Sequence, residues 1–143
     1  MREILFRGKR TDNGKWVEGW YCQKKTGHYE GDRFVEEMQP IIIASMTGGG
    51  YQYAVVDLKT VCQCTCLTDK NGRKIFEGDI VSAWSEGSHA IGRVKQRTDG
   101  LWLLFPAWQN KIMWGLCPND KGETTVEVIG NIFDNTELVR NDA

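Results

Sequence analysis

Short runs of β-branched and aromatic residues alternate with turn signals along most of the chain. The turn signals lie between such runs and are Asn13-Gly14, Asn71-Gly72, Asp99-Gly100 and Asn119–Gly122. Asn-Gly suits the two left-handed positions of a type I′ turn, so the first two sites predict hairpins. No window of eleven or more residues carries apolar side chains at helical spacing. The pattern therefore predicts an all-β fold, or β with very short helices near 57–60 and 135–139.

Two stretches interrupt this pattern. Lys24–Glu37 is polar and contains Gly27 and Gly31, which predicts either a mobile connection or a weak hairpin. Thr47–Gln52 contains three consecutive glycines and is interpreted as a flexible link. We therefore expect a single domain over residues 1–143, with an N-terminal β subdomain at 1–46 and a barrel-like core at 53–134.

Composition excludes several classes of protein. The 143 residues are 41% hydrophobic and 26% charged, which is unlike a disordered chain. The net charge of −1 gives no global basic character for holding a nucleic acid. No apolar run approaches the roughly 20 residues of a membrane helix, and the N-terminus does not resemble a signal peptide. We expect a protein of the bacterial cytosol that does not bind membranes.

Three segments resemble the YopX family of phage and prophage proteins. Residues 57–81 read DLKTVCQCTCLTDKNGRKIFEGDIV, similar to the family stretch T-V-G-Q-[FY]-T-G-L-x-D-K-N-G-x-x-I-[FY]-E-G-D-I-V. Residues 126–135 read VEVIGNIFDN and resemble the closing E-V-I-G-N-I-[FY]-[ED]-N, and residues 2–8 resemble the opening R-E-I-K-F-R-A. The resemblance implies a β-rich accessory protein that self-associates, and it implies no reaction and no catalytic residues.

Turn, core and corner chemistry accounts for the motif residues, which are Asn71, Gly72, Glu77, Gly78, Asp79, Gly130 and Asn131. Asn71-Gly72 is placed in a turn, and Gly78 is placed at a bulge or corner where Asp79 accepts backbone N–H bonds. Asn131 is expected to hold the turn after the last strand. A strand–Gly-Asp–strand sequence is common in small SH3-like barrels, so we expect such a barrel with an N-terminal β extension.

The chain departs from the family pattern at Cys62, Cys64 and Cys66, where relatives tend to have Gly, an aromatic residue and Gly. With Cys22 and Cys117 the cysteines number five, and an odd number favours free thiols. On a strand, alternate cysteines share one face at about 7 Å, which suits packing better than chelation. We expect buried small side chains, no metal and no cofactor, with redox activity left open.

Catalytic signatures are not found in the sequence. Glu77 and Asp79 form a carboxylate pair without a recognisable partner acid or base. His28 and His89 lie in no motif that supplies a nucleophile, an orienting carboxylate and an oxyanion hole. The sequence therefore predicts a protein that is not an enzyme.

Six tryptophans are many for a chain of this length, and three of them follow a basic strand. Aromatic side chains beside Lys and Arg can form a stacking platform for single-stranded nucleic acid, or they can form a core with a solvated basic edge. The residues of this candidate binding surface are Arg93, Lys95, Arg97, Trp102, Trp108, Lys111 and Trp114.

Protein binding is the leading functional hypothesis. Trp-rich surfaces are frequent hot spots for protein partners. Residues 1–25 hold seven Lys or Arg and three acids, for +4, whereas residues 119–143 hold two bases and six acids, for −4. Opposed charges can pair within one fold or between copies. We expect a non-enzymatic accessory protein that binds a protein partner or self-associates as a homo-oligomer, and nucleic-acid binding is the alternative.

Overall fold

The structure is a computed structural model, and it describes residues 4–47 and 50–138. These residues form eleven strands and two single turns of 3₁₀ helix. The strands are β1 (Phe6–Lys9), β2 (Trp16–Glu30), β3 (Arg33–Thr47), β4 (Gly50–Val55), β5 (Cys62–Thr68), β6 (Lys74–Phe76), β7 (Asp79–Ser85), β8 (Ser88–Gln96), β9 (Trp102–Gln109), β10 (Ile112–Gly115) and β11 (Glu127–Asn131). The predicted all-β fold with very short helices is confirmed, and its strands form two antiparallel sheets.

Both short helices lie where the sequence predicts helical turns. Leu58–Thr60 follows Asp57, whose carboxylate accepts a hydrogen bond from the backbone N–H of Lys59 at 3.1 Å. That contact satisfies one of the N–H groups that a helix start leaves open. The second helix spans Thr136–Leu138, and Val139 of the predicted turn lies outside the described residues. No helix within 4–47 and 50–138 has the length and hydropathy required to cross a membrane.

The first compact unit comprises residues 4–63. Its strands pair in the order β4, β3, β2, β1, and the first residues of β5 pair with β1. Side chains from both faces of β3 are buried, including Ile41 and Ile42, and Val56 joins them. This core stabilises the part of the sheet nearest β1 and β4, which we call the proximal sheet, since burying an aliphatic side chain contributes about 1.5–3 kcal/mol.

The distal part of the β2–β3 hairpin has only two strands. β1 pairs with β2 at Trp16–Gly19, and β4 pairs with β3 from Ile41 onwards. Among the described residues, the seven pairs from Lys24↔Gln39 to Glu30↔Arg33 therefore have no third strand beside them, and we call Lys24–Gln39 the ribbon. Of the two structures predicted for this polar stretch, the hairpin is the one formed. It is part of two 15-residue strands.

The second compact unit contains the described residues 64–138. Here the rest of β5 pairs with β6, and a five-stranded sheet has the order β10, β9, β8, β7, β11. One face of that sheet carries the core, which includes Val81, Val94 and Leu104. Among the described residues no pairing joins β10 to β11, so this sheet stays open and does not close into the small SH3-like barrel that the sequence predicts.

The two units divide between Gln63 and Cys64. The sequence instead predicts the boundary between subdomains at Thr47–Gln52. Residues 48 and 49 of this link lie outside the described residues. β4 begins at Gly50 and pairs with β3, Val56 bridges to Arg10, and Cys62 and Gln63 pair with β1, so residues 53–63 belong to the first unit. That the whole chain forms one domain stays a prediction.

The predicted turns occur, but neither Asn-Gly turn is of type I′. Gly14 and Gly72 have left-handed backbones with φ of 70° and 80°, whereas Asn13 and Asn71 do not. Type I′ requires two left-handed residues. The buried Asp69 organises the second turn instead. One of its carboxylate oxygens accepts from the N–H groups of Asn71 and Arg73, both at 2.9 Å, and the other accepts from Val128 at 3.0 Å.

The β6–β7 corner contains Glu77, Gly78 and Asp79. Gly78 has a left-handed backbone, with φ of 86°. The buried carboxylate of Asp79 accepts a hydrogen bond from the backbone N–H of Phe76 at 2.9 Å. Gly78 also accepts from the N–H of Ile132 at 2.9 Å. The corner thus joins β6, β7 and the chain after β11.

Asn131 holds the turn that follows β11. Its side-chain oxygen accepts from the N–H groups of Phe133 and Asp134, both at 2.9 Å. The preceding Gly130 lies where the register of β11 against β7 shifts. A side chain at this glycine would collide with Asn135, whose own side chain accepts from the N–H of Asn131 at 3.1 Å.

Candidate binding surfaces

Two tryptophans of the predicted binding surface are buried. Trp102 and Trp114 are 7% and 4% exposed and belong to the core of the second unit. Trp102 has the same strand parity as Leu104, so both side chains point to the core face of β9. The Trp114 indole N–H donates to the backbone oxygen of Gln109 at 2.9 Å. Their assignment to a stacking platform is therefore wrong.

Arg93 and Lys95 lie on the opposite, outward face of β8. Arg93 pairs across the sheet with Phe105 of β9, and Lys95 pairs with Leu103. The guanidinium carbon of Arg93 lies 5.2 Å from the centroid of the Phe105 ring, and the Lys95 ammonium nitrogen lies 4.9 Å from it. Both cations thus lie in cation–π contact with the ring of Phe105, a residue that is missing from the predicted surface.

Arg97 follows β8 and is bound by a neighbouring acid. Its guanidinium donates two hydrogen bonds to the carboxylate of Asp99, at 2.8 and 2.5 Å. This contact lowers the pKa of Asp99 to about 2, and the backbone N–H of Leu101 adds to the effect. The same carboxylate raises the pKa of Arg97. Most of the charge of Arg97 is therefore balanced locally.

Two shallow grooves of about 260 Å³ each lie beside Lys95. One is lined by Lys95, Gln96, Arg97, Thr98, Leu103 and Phe105. The other is lined by Glu77, Gly78, Arg93, Val94, Lys95 and Ile132. Because Lys95 lines both, its ammonium group can reach an anion in either groove.

A second aromatic group lies on the same outward face, where β7 meets β8. The Trp84 side chain is 66% exposed and stacks on His89, with ring centroids 4.1 Å apart. Ser82 Oγ lies 2.5 Å from Nε2 of His89. Four positions of β8 separate His89 from Arg93, which corresponds to about 13 Å along the strand.

Trp108 and Lys111 belong to the β9–β10 hairpin. Trp108 is exposed and pairs with Met113 of β10, which is also exposed. Lys111 lies in the connecting turn with a left-handed backbone, φ 63°, beside the similarly left-handed Asn110. The structure thus separates these two residues from Arg93 and Lys95, which it brings together.

The ribbon of the first unit exposes large apolar side chains on a polar background. Tyr29, Phe34 and Met38 are 73%, 52% and 57% exposed. The Tyr29 and Phe34 rings pack at the tip with centroids 5.1 Å apart. Lys25 and Glu36 form an exposed ion pair at 3.1 Å. The sequence gives this ribbon only the weak hairpin signal of its glycines, because neither of its faces covers a core within the described residues.

The cysteine strand does not present three thiols to one face. Cys62 and Cys64 are buried, and their thiols donate to the backbone oxygens of Thr60 at 3.2 Å and Ile75 at 3.7 Å. Cys66 adopts a left-handed backbone with φ of 67°, in the stretch where the β5–β6 register shifts. Within 4–47 and 50–138 no three His, Cys, Asp or Glu side chains are placed to hold a metal ion.

Comparison with known proteins supports the resemblance seen in the sequence. The family model described as "YopX protein" matches residues 5–140. No match is found among curated proteins. The crystal structure of protein EF1440 from Enterococcus faecalis is similar to this chain, with a TM-score of 0.52 and 20% identity. That similarity covers 98% of this chain and 100% of the other, and at this identity it shows a shared fold alone. The chain belongs to the YopX family.

Proposed function

We propose that this protein is a non-enzymatic binding module that self-associates through its ribbon. The observation that carries the proposal is a hairpin extension of seven residue pairs that pairs with no third strand among the described residues, with the exposed side chains of Tyr29 and Phe34 at its tip. The setting proposed is the one the family resemblance implies, a phage or prophage accessory protein in the bacterial cytosol.

A two-stranded ribbon is a poor stand-alone structure. Isolated hairpins are marginally stable in water at best, because ordering each residue costs roughly 1–2 kcal/mol of backbone entropy. Cross-strand pairs such as Tyr29 with Phe34 stabilise the folded hairpin by only about 0.2–1 kcal/mol each. A partner that covers these side chains and pairs with an open edge supplies the missing burial and hydrogen bonds.

The charge on the ribbon favours a second copy of this chain as that partner. Residues 24–39 contain three Lys or Arg (Lys24, Lys25, Arg33) and four acids (Glu30, Asp32, Glu36, Glu37), for a net −1. Both signs are interspersed, which suits neither a strongly acidic nor a strongly basic partner. Two ribbons related by a two-fold axis can place bases of one against acids of the other, as isologous contacts require.

Size-exclusion chromatography with light scattering tests the proposal. The wild-type chain is expected to be larger than a monomer at concentrations on the order of tens of micromolar, which corresponds to modest affinity. A triple variant, Tyr29→Ser, Phe34→Ser and Met38→Ser, should be monomeric because the exposed apolar contacts are lost. Trp108→Ser removes an exposed aromatic side chain outside the ribbon and serves as the control.

Two outcomes would overturn the assignment. A strictly monomeric wild-type chain removes self-association altogether, and an oligomer that survives the triple substitution places the contact elsewhere. Circular dichroism of each variant checks that the sheets remain folded, so that loss of association is not confused with unfolding.

A further inference from the structure

We propose that the outward face of β7, β8 and β9 binds single-stranded nucleic acid. The residues that define this basic face are Trp84, His89, Arg93, Lys95 and Phe105. The proposal does not rest on the ribbon, which belongs to the other compact unit. It concerns a second surface with a different ligand.

The first argument is the pairing of two cations with one ring. Arg93 and Lys95 both lie about 5 Å from the Phe105 centroid. Because both cations lie over this ring, a nucleotide bound here would stack its base against the ring and the guanidinium plane together, and the two cations would contact its flanking phosphates. Combined stacking and phosphate contact is how proteins hold single strands with little sequence preference.

The second argument is the spacing of the aromatic groups. Trp84, stacked on His89, presents an exposed ring at one end of the face, and the half-buried ring of Phe105 lies beside Arg93 at the other. His89 and Arg93, which carry these two aromatic contacts, lie roughly 13 Å apart along β8, a distance that a few nucleotides can span. Duplex DNA cannot use such rings, because its bases are already stacked on one another.

The third argument concerns charge. Glu77 lines the groove shared with Arg93 and Lys95 and offsets part of their attraction for phosphate. The Arg97 charge is balanced by Asp99, which holds it through two hydrogen bonds. Neutralising that acid should make a third cation available at the end of the same strand. The face is therefore expected to bind weakly as it stands and more tightly once Arg97 is released.

Fluorescence anisotropy with a labelled oligothymidylate of about 12 nucleotides, at low salt, measures the binding of the full chain. Lys95→Gln should weaken binding about 3- to 10-fold and reduce the slope of log affinity against log salt by about 1. Asp99→Asn should tighten binding a few-fold by releasing Arg97. Lys121→Gln removes an exposed cationic side chain in a turn that is not part of the basic face, and it should leave the affinity unchanged.

Substitutions of Phe105 separate stacking from simple charge attraction. Phe105→Leu keeps an apolar side chain but loses the aromatic face, and it should weaken binding about 5- to 10-fold. Phe105→Tyr keeps the ring and should retain affinity. Circular dichroism checks whether both variants are folded. If Phe105→Leu does not fold, Phe105→Tyr still tests whether an aromatic ring at this position retains the affinity.

The competitors are a duplex of the same length and heparin, a polyanion without bases. The proposal expects the single strand to be preferred over both. It is overturned if wild-type protein does not bind the oligonucleotide, if heparin and duplex compete equally, or if Phe105→Leu binds as tightly as wild type. Equal competition would identify a nonspecific anion surface, and absence of binding would leave this face to a protein partner.

Discussion

Cys66 occupies a backbone conformation that suits glycine. Its φ of 67° lies in the left-handed region, where an L side chain costs about 1–2 kcal/mol. The YopX-like motif tends to have Gly at this position, and the structure supplies a physical reason for that preference. We expect Cys66→Gly to raise the free energy of unfolding by about 0.5–1 kcal/mol, measured by urea denaturation under reducing conditions.

Cys62→Gly is the matched control, because relatives tend to have Gly there too. Cys62 is buried, its backbone is not left-handed, and its thiol bonds to the Thr60 carbonyl. Glycine there loses packing and gains chain entropy when unfolded, so we expect a loss of about 2 kcal/mol. If both substitutions destabilise the protein equally, backbone strain at Cys66 is not the reason for the glycine preference.

Asp69 uses both carboxylate oxygens to accept backbone N–H groups from two segments of the second unit. Asp69→Asn places an amide N–H against one of those donors, whichever way the amide is turned. We expect a loss of about 2–3 kcal/mol in the free energy of unfolding, because a buried donor is left unsatisfied. Asp120→Asn, in an exposed turn, should change it by less than about 0.5 kcal/mol. A cost for Asp69→Asn as small as that of the control would show that water replaces the carboxylate.

At the scale of the element, turn chemistry and strand parity predict which residues of β8 and β9 share a face. The predicted binding surface did not take that information into account. The Thr98–Gly100 turn implies a register, and continuing it places Arg93 opposite Phe105, which is what the structure has. Parity along β9 likewise sends Trp102 and Leu104 to the same face, away from Phe105. Phe105 could therefore have been found from the sequence, and Trp102 excluded from the surface.

The ribbon could not be predicted in the same way. Alternation of apolar and polar residues arises where one face covers a core, and the ribbon covers none. Its strands are specified by the register of the proximal sheet, which depends on contacts distant in sequence. The open sheet edges are a tertiary property as well, and local resemblance to an SH3-like corner does not carry that information.

Gly19 fixes the approach of β2 to β3 at the base of this hairpin. A Cβ atom there would collide with the backbone carbonyl of Ile43, close to the point where the β3 register against β4 shifts. We expect Gly19→Ala to cost about 3 kcal/mol or more in the free energy of unfolding, since backbone atoms cannot yield as a side chain can. Urea denaturation measures this loss.

Gly50→Ala provides the comparison for Gly19. Gly50 lies on the neighbouring strand β4 and has open space around the position of a Cβ atom. Its substitution should change the free energy of unfolding by no more than about 0.5 kcal/mol. Similar losses for the two alanine variants would mean that general strand propensity, rather than the close approach at Ile43, limits residue choice at Gly19.

For the whole molecule, stability should depend on concentration if the ribbon is covered by a second copy. Unfolding then includes dissociation, and mass action favours the folded assembly as the chain becomes more concentrated. With about 0.7 kcal/mol of unfolding enthalpy per residue over two chains of 143 residues, a tenfold increase should raise Tm by about 2–3 °C. Differential scanning calorimetry over a hundredfold range, with reversibility checked by rescanning, measures the shift.

The triple serine variant of the ribbon tests whether the concentration dependence of Tm arises from association through the ribbon. Serine at positions 29, 34 and 38 should lower Tm at high concentration and abolish its concentration dependence, because these exposed side chains contribute little within a monomer. Trp108→Ser should keep the wild-type dependence. A wild-type Tm that stays constant across the range would show that folding owes nothing to association, and a shift that persists in the ribbon variant would assign the contact to another surface.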